Sequence, residues 1–163
     1  MNFLEKDLER ILEEQLNEDS EVLYDLGLEH IDYDLKMKVF RQLRIGNYGI
    51  ADLVTVQRFS DELFIDVYEL KKDKIDFNAL CQVHAYSKGV QSYLLKRGFK
   101  KFRIRKILVG RDFDTHGRFV FVFDDNQRLN FLDTHIFKYQ YGIKGLLFEE
   151  VFPNRFTLID EGF

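Results

Sequence analysis

The spacing of apolar positions changes period several times along the chain. Leu4, Leu8, Ile11, Leu12 and Leu16 fall on one helical face, which predicts an amphipathic helix over 3–18. Asn2 is placed to cap it, with Glu5 as its capping-box partner. A shorter helical piece, Glu21 to Leu26, is expected to stop at Gly27. The period then shortens. Met37, Val39, Leu43 and Ile45 alternate with polar neighbours over 36–45, interrupted at Arg41, and predict a strand. Gly46-Asn47-Tyr48-Gly49 reads as a turn. Strands are expected at Ile50 to Gln57 and Leu63 to Lys71, joined closely enough for a hairpin.

Asp73-Lys74-Ile75-Asp76 is a polar break, and Asp76 suits the N-cap of a helix from Phe77 to about Lys96 that ends before Gly98. Phe102 to Gly110 reads as a strand and Arg111 to Gly117 as a loop. The run Phe119-Val120-Phe121-Val122-Phe123 fits a buried strand or a buried helix equally, and 126–133 reads as helical. Ile136 to Tyr141 and Leu146 to Phe152 complete the list as strands. A helix, a β-meander, a helix and further strands predict an α/β or α+β sandwich around one sheet. No internal repeat or linker interrupts the chain, so 1–163 is read as a single domain.

The alternation also proposes a register. If Arg58 and Leu63 close the hairpin, Val56 faces Ile65, Val54 faces Val67 and Asp52 faces Glu69, all on one side of the sheet. Lys71 lies on that side too. An isolated Glu-x-Lys is commonplace on solvated strand edges. An aspartate inside Ile50-Ala51-Asp52-Leu53-Val54, brought opposite Glu69, is not.

Two carboxylates facing each other on a half-buried sheet repel, and a divalent cation resolves the conflict. Magnesium takes hard oxygen ligands and keeps several waters, so Asp52, Glu69 and the Leu70 carbonyl suffice as protein ligands. Such an ion polarises a phosphoryl oxygen and acidifies a water, and Lys71 is placed to hold that water or offset charge on the phosphate. On the following helix Gln82, Tyr86, Gly89 and Tyr93 share a face. Gln82 suits orientation of a water or phosphate, and Tyr86 suits a phosphate contact or stacking on a base. Tyr93 reads better as a core-edge residue, and His84 as packed or exposed rather than a ligand. His30, His116 and His135 lack metal-triad spacing.

Composition narrows the classes. The single cysteine, Cys81, excludes an intramolecular disulfide and multi-cysteine zinc or iron–sulfur centres. No run of about 18 apolar residues predicts a membrane span, and the N-terminus lacks the pattern of a secretory signal, so the cytoplasm is the expected location. The net charge of −4 is uneven: residues 1–35 carry −10, leaving +6 for the remainder. The stretch Lys96, Arg97, Lys100, Lys101, Arg103, Arg105 and Lys106 is dense enough to meet a phosphate backbone, and equally fits a solvated helix end and strand face.

At Gly49-Ile50-Ala51-Asp52-Leu53-Val54, Glu69-Leu70-Lys71 and Gln82-Val83-His84-Ala85-Tyr86 the chain resembles the PD-(D/E)XK nuclease superfamily, in particular RecB-like and NucS-like catalytic domains. The last segment matches the Q-x-x-x-Y signature of the RecB-like members. Glu5-Lys6-Asp7-Leu8-Glu9 resembles their first helix, where a glutamate completes the site; the match is to Glu9, with Glu5 the alternative. The resemblance spans about residues 3–110, and Tyr141 to Gly145 continues it. The usual proline before the aspartate is missing, as are the cysteines of iron–sulfur members.

The resemblance implies a restriction-endonuclease-like α/β core, a mixed sheet flanked by helices. It also implies a Mg²⁺- or Mn²⁺-dependent nuclease acting on DNA, with RNA left open. Asp52 and Glu69 would then be ligands, Lys71 the positioning residue, and Gln82 and Glu9 auxiliaries. Partners would include a second copy or a larger complex that recruits it. The rival is a non-catalytic nuclease-like module, binding nucleic acid or protein within a mobile element or virion.

Overall fold

The computed structural model describes residues 4–18, 20–28, 35–115, 117–119, 134–143 and 145–151. Most of the ambiguous 118–133 stretch, and with it the proposed helix at 126–133, lies outside them, as do His30 and His116. Helices α1 (Glu5–Leu16) and α2 (Ser20–Asp25) precede strands β1 (Met37–Arg44), β2 (Ile50–Phe59), β3 (Glu62–Leu70) and β4 (Lys74–Ile75). Helix α3 (Phe77–Lys96) follows, then β5 (Phe102–Gly110), β6 (Asp112–Phe113), β7 (Thr134–Gly142) and β8 (Gly145–Val151). Six strands form one mixed sheet in the order β1-β2-β3-β5-β7-β8, parallel at β3–β5 and β5–β7 and antiparallel elsewhere. This is the α/β architecture expected: a central mixed sheet flanked by helices.

Each face of the sheet has its own apolar layer. Val54, Ile65, Val67, Ile104 and Leu108 pack with Leu80 and Val83 of α3. On the other face Leu53, Tyr68, Leu70, Ile107 and Phe137 pack with Leu8, Leu12 and Leu16 of α1. Strict alternation along β3 thus serves two cores, which is why its central residues are buried whichever way they point.

Three local expectations need correction. The first helix starts at Glu5, and its cap is made by Asp7, whose carboxylate accepts the Leu4 N–H at 2.8 Å, so Glu5 is not the capping-box partner. The β2–β3 hairpin is tighter than a four-residue loop. Phe59 pairs with Glu62, and the turn is closed with Ser60 at φ +54°. The segments read as a polar break and a loop each contribute a short strand: β4 and β6 pair in parallel because Ile75 and Phe113 are both drawn into the core. Gly27 ends α2 at φ +86°, and a β-carbon there would collide with the Phe148 carbonyl. The Phe148 N–H in turn donates to Leu26 O at 2.8 Å, tying α2 to β8.

Leu12 is fully buried in the α1 layer, whereas Leu95 on α3 is 59% exposed. Leu12→Ala is therefore expected to cost about 3 kcal/mol in denaturant unfolding, and Leu95→Ala under about 0.5 kcal/mol. Equal losses would contradict the assignment of α1 to the core.

Candidate active site

The site is built where three strands stop. The β2–β3 ladder holds Val56 against Ile65, Val54 against Val67 and Leu53 against Tyr68. It ends there, and the next position of the same register sets Asp52 opposite Glu69. Asp52 substitutes its side chain for the missing ladder bond: its carboxylate accepts the Leu70 N–H at 2.7 Å. The β1–β2 ladder is interrupted at the same level, where Gln42 opposite Asp52 takes a left-handed φ of +50°. The end of β3 is fixed from its other side, since the Lys71 N–H donates to Val109 O at 2.8 Å. Lys71 Nζ reaches back to Glu69 Oε1 at 2.9 Å. Neighbouring residues of a strand point their N–H and C=O groups to opposite edges, so the Leu70 carbonyl lies on the Asp52 edge.

Burial sets the electrostatics. Glu69 is buried and is pushed up to about 7, by desolvation first and then by the charge of Asp52, against the pull of Lys71. Asp52 is pushed up to about 6 by desolvation. The Leu70 hydrogen bond opposes this, and the charges of Glu9 and Glu5 add to it. Burial lowers Lys71, but its bond to Glu69 and the surrounding carboxylates outweigh that and leave it raised, hence an ammonium. The pair of carboxylates is thus charge-frustrated near neutral pH and held beside a fixed cation.

Helix α3 supplies a second wall. Its N-cap is Asp76, which accepts the Ala79 N–H at 2.9 Å. The Tyr86 phenol is raised by burial and by the charges of Glu69 and Asp52, with the Gln82 side chain acting against the rise, while Gln82 Oε1 accepts from Asn78 at 3.5 Å. Gly49 has φ +123°, and a β-carbon there would sit 2.7 Å from Tyr86 Cε1. The glycine before the Asp52 strand is therefore what lets Tyr86 close over it. His84 is bonded to Lys106 Nζ at 3.3 Å beneath the helix and is lowered by burial and by Lys106. It packs and does not join the carboxylates.

Of the two helix α1 glutamates, Glu9 is buried and occupied. It accepts from Arg41 Nε at 2.6 Å and from Gln42 at 2.8 Å. Glu5 accepts the Lys72 N–H at 3.2 Å, and its charge acts on Asp52, Glu69 and Lys71 alike. Glu9 acts on Asp52 more strongly than Glu5 does, and Glu5 acts on all three groups, so both glutamates of the sequence match lie around the pair.

The basic stretch, though it follows the carboxylates in sequence, lies at the far end of the strands that carry them. Phe102 pairs with Leu63, six residues before Glu69, so Lys96, Arg97, Lys100, Lys101 and Arg103 gather about 20 Å from the carboxylates. Arg105 is not a free phosphate contact: it grips the buried Asp66 at 2.6 and 2.9 Å. Lys101 is bonded to Asp61 at 2.6 Å on the surface.

Among the described residues no group of three or more His, Cys, Asp or Glu is arranged to hold a metal ion. The fit is that of a two-carboxylate donor set. Asp52 and Glu69 offer hard oxygen donors whose mutual repulsion a divalent cation would relieve, with water completing its shell.

No family model and no curated protein matches the chain. Among solved structures it is similar to an EndoMS–double-stranded DNA complex, at 22% identity and TM-score 0.45, over 73% of this chain and 42% of that one. It is also similar to a repair endonuclease from Pyrococcus abyssi, at 17% identity and TM-score 0.47, over 85% of this chain and 49% of that one. The chain spans less than half the length of either. With identities and TM-scores this low, the site stands on its own geometry. No helix among the described residues is long and apolar enough to cross a membrane.

Because both carboxylates have raised pKa values, the folded protein holds protons that the unfolded chain releases between about pH 4 and 7. Without a divalent ion, stability attributable to the pair is therefore present at low pH and lost as pH rises to about 7. A rise of roughly two units in each group, at about 1.4 kcal/mol per unit, sets an upper bound of about 6 kcal/mol for the coupled pair. Thermal unfolding in EDTA should show a midpoint falling by several degrees between pH 5 and 8, and Glu69→Gln should flatten that fall. Mn²⁺ should restore the midpoint at pH 8 and do little at pH 5. A midpoint insensitive to pH and to Mn²⁺ would contradict the coupled pair.

Proposed function

We propose that this protein is a divalent-cation-dependent nuclease that hydrolyses phosphodiester bonds in DNA. The observation that carries the reading is the pairing of half-buried Asp52 with buried Glu69 at the ends of two adjoining strands, with the Lys71 ammonium 2.9 Å from Glu69. DNA as the substrate rests on the resemblance of Gly49 to Val54, Glu69 to Lys71 and Gln82 to Tyr86 to the PD-(D/E)XK motifs.

Asp52 and Glu69 would hold Mg²⁺ or Mn²⁺, with the Leu70 carbonyl as a further oxygen donor on the same edge. When bound, the cation supplies Lewis-acid polarisation of a phosphoryl oxygen and lowers the pKa of water. The remaining tasks fall to the chain. Lys71 orients the attacking water and offsets charge accumulating on the phosphate, in a setting where burial strengthens its field. Tyr86, fixed by its packing on Gly49, donates to a non-bridging phosphate oxygen. Glu5 and Glu9 add negative potential that favours a cation at the pair.

The test is cleavage of labelled single- and double-stranded DNA and RNA with Mg²⁺, Mn²⁺ or EDTA. Cleavage should require the cation and rise with pH through about 6 to 7, as the carboxylates lose the protons that compete with it. Asp52→Asn and Glu69→Gln should abolish activity, and Lys71→Ala should cut it by roughly 100-fold. Cleavage in EDTA would contradict the reading. Binding of nucleic acid without cleavage under any condition would favour the non-catalytic module instead.

A further inference from the structure

A second feature shares the sheet face of the carboxylate pair. Between β1, the 3₁₀ turn Gly46–Tyr48 and the C-terminal half of α3 lies an open groove of about 720 Å³. Its floor includes Val56 and Ile65, the hairpin pair two positions beyond Val54 and Val67 and so four beyond the carboxylates. Three aromatic rings stand along it, Phe40, Tyr48 and Tyr93, at 41, 48 and 56% exposure. Rings of that size left open to water on adjoining walls are not needed for the core. They are flat, apolar surfaces waiting for a partner.

The charge around the rings has one sign. Arg44 and Lys96 line the groove, and no Asp or Glu does. Among the described residues no carboxylate pairs with Arg44, Lys96, Lys100 or Arg103, all of them exposed. The Arg97 guanidinium lies 5.3 Å from the Tyr93 ring centre, so the aromatic wall runs directly into the basic stretch. This end of the chain therefore combines stacking platforms with a run of cations, although its distance from the carboxylates removes it from the reaction itself.

We propose that the groove takes the bases of a single-stranded polynucleotide, whose phosphates lie on Arg44, Lys96, Arg97, Lys100 and Arg103. The inference rests on the nuclease reading of the neighbouring carboxylates and adds the strand state of the substrate. Phosphates alone would ask for the cations without the rings. A duplex keeps its bases stacked inside and offers no flat face to Phe40, Tyr48 or Tyr93, whereas an unpaired strand offers both bases and charge. An apolar protein segment would fill the slot but leave the cations unmatched. Gly89 seats the turn against the helix at mid-length: a β-carbon there would lie 2.5 Å from Ile45 and 2.8 Å from the Tyr48 ring, so the glycine is what lets that ring stand at the groove wall.

Binding of a fluorescent dT20 oligonucleotide and of a duplex of equal length, measured by anisotropy in EDTA, separates recognition from cleavage. The single strand should bind more tightly than the duplex. Tyr93→Ala and Phe40→Ala, both at exposed positions and so expected to fold with unchanged melting, should each weaken it about tenfold. Arg44→Glu combined with Lys96→Glu should weaken it further and reduce the salt dependence. Wild-type affinity in these variants, or a preference for duplex, would overturn the proposal. So would dimerisation through the groove that Tyr93→Ala abolishes without any oligonucleotide bound.

The two readings fail separately. Ring-dependent binding without cleavage in Mn²⁺ leaves the groove standing and removes the nuclease. Mn²⁺-dependent cleavage with single-strand affinity indifferent to the ring variants does the reverse.

Discussion

The repulsion between two desolvated carboxylates organises this end of the molecule. Asp52 and Glu69 are brought together by the register of a hairpin whose apolar pairs, Val54–Val67 and Val56–Ile65, are buried under α3. A slip of one residue would turn those valines and isoleucine away from the helix, so the core that stabilises the fold also enforces the charge conflict. The compensations visible in the structure are partial. Leu70 N–H bonds Asp52, and Lys71 bonds Glu69, yet both carboxyls remain pushed upward. A site tuned only for stability would replace one of the acids; retaining both is a cost that a bound cation can offset.

Much of this was legible in the sequence because it depends on short-range periodicity. The alternation of β2 and β3 gave the register, and the α1 stripe of Leu8, Leu12 and Leu16 gave the face that packs on the sheet. What was not legible depends on where elements return in space. The basic stretch follows the site closely in sequence, but α3 runs back along the sheet for 20 residues before β5 begins. Sequence proximity to Lys71 thus becomes a separation of about 20 Å. Glu9 matched a motif position, yet Arg41 and Gln42 claim it, and the left-handed Gln42 that helps to do so has no sequence signal of its own. The β4–β6 pair escaped because two buried residues, Ile75 and Phe113, sit among polar neighbours and show no period.

The two regions of interest are related by this geometry. The same face of β2 and β3 carries the carboxylates at one end and the open groove further along, with α3 spanning both. Tyr86 belongs to the first and Tyr93 to the second, two turns apart on one helix face. A helix read from sequence as one amphipathic stripe therefore serves two purposes: its first half closes over the hairpin, and its second half stands away from it and leaves rings exposed. Glycines at 49 and 89 mark the two closest approaches, under Tyr86 and beside Tyr48.

The central claim is that Asp52 and Glu69 form one coupled, cation-ready pair, and carboxyl-detected NMR titration addresses it most directly. In EDTA the two side-chain carboxyls should titrate together, in the range of about 6 to 7. With Mg²⁺ present both should fall well below that range, and Asp52→Asn should lower the Glu69 carboxyl, which the Asp52 charge helps to raise. Independent titration near pH 4 for both residues, unchanged by Mg²⁺, would contradict the account.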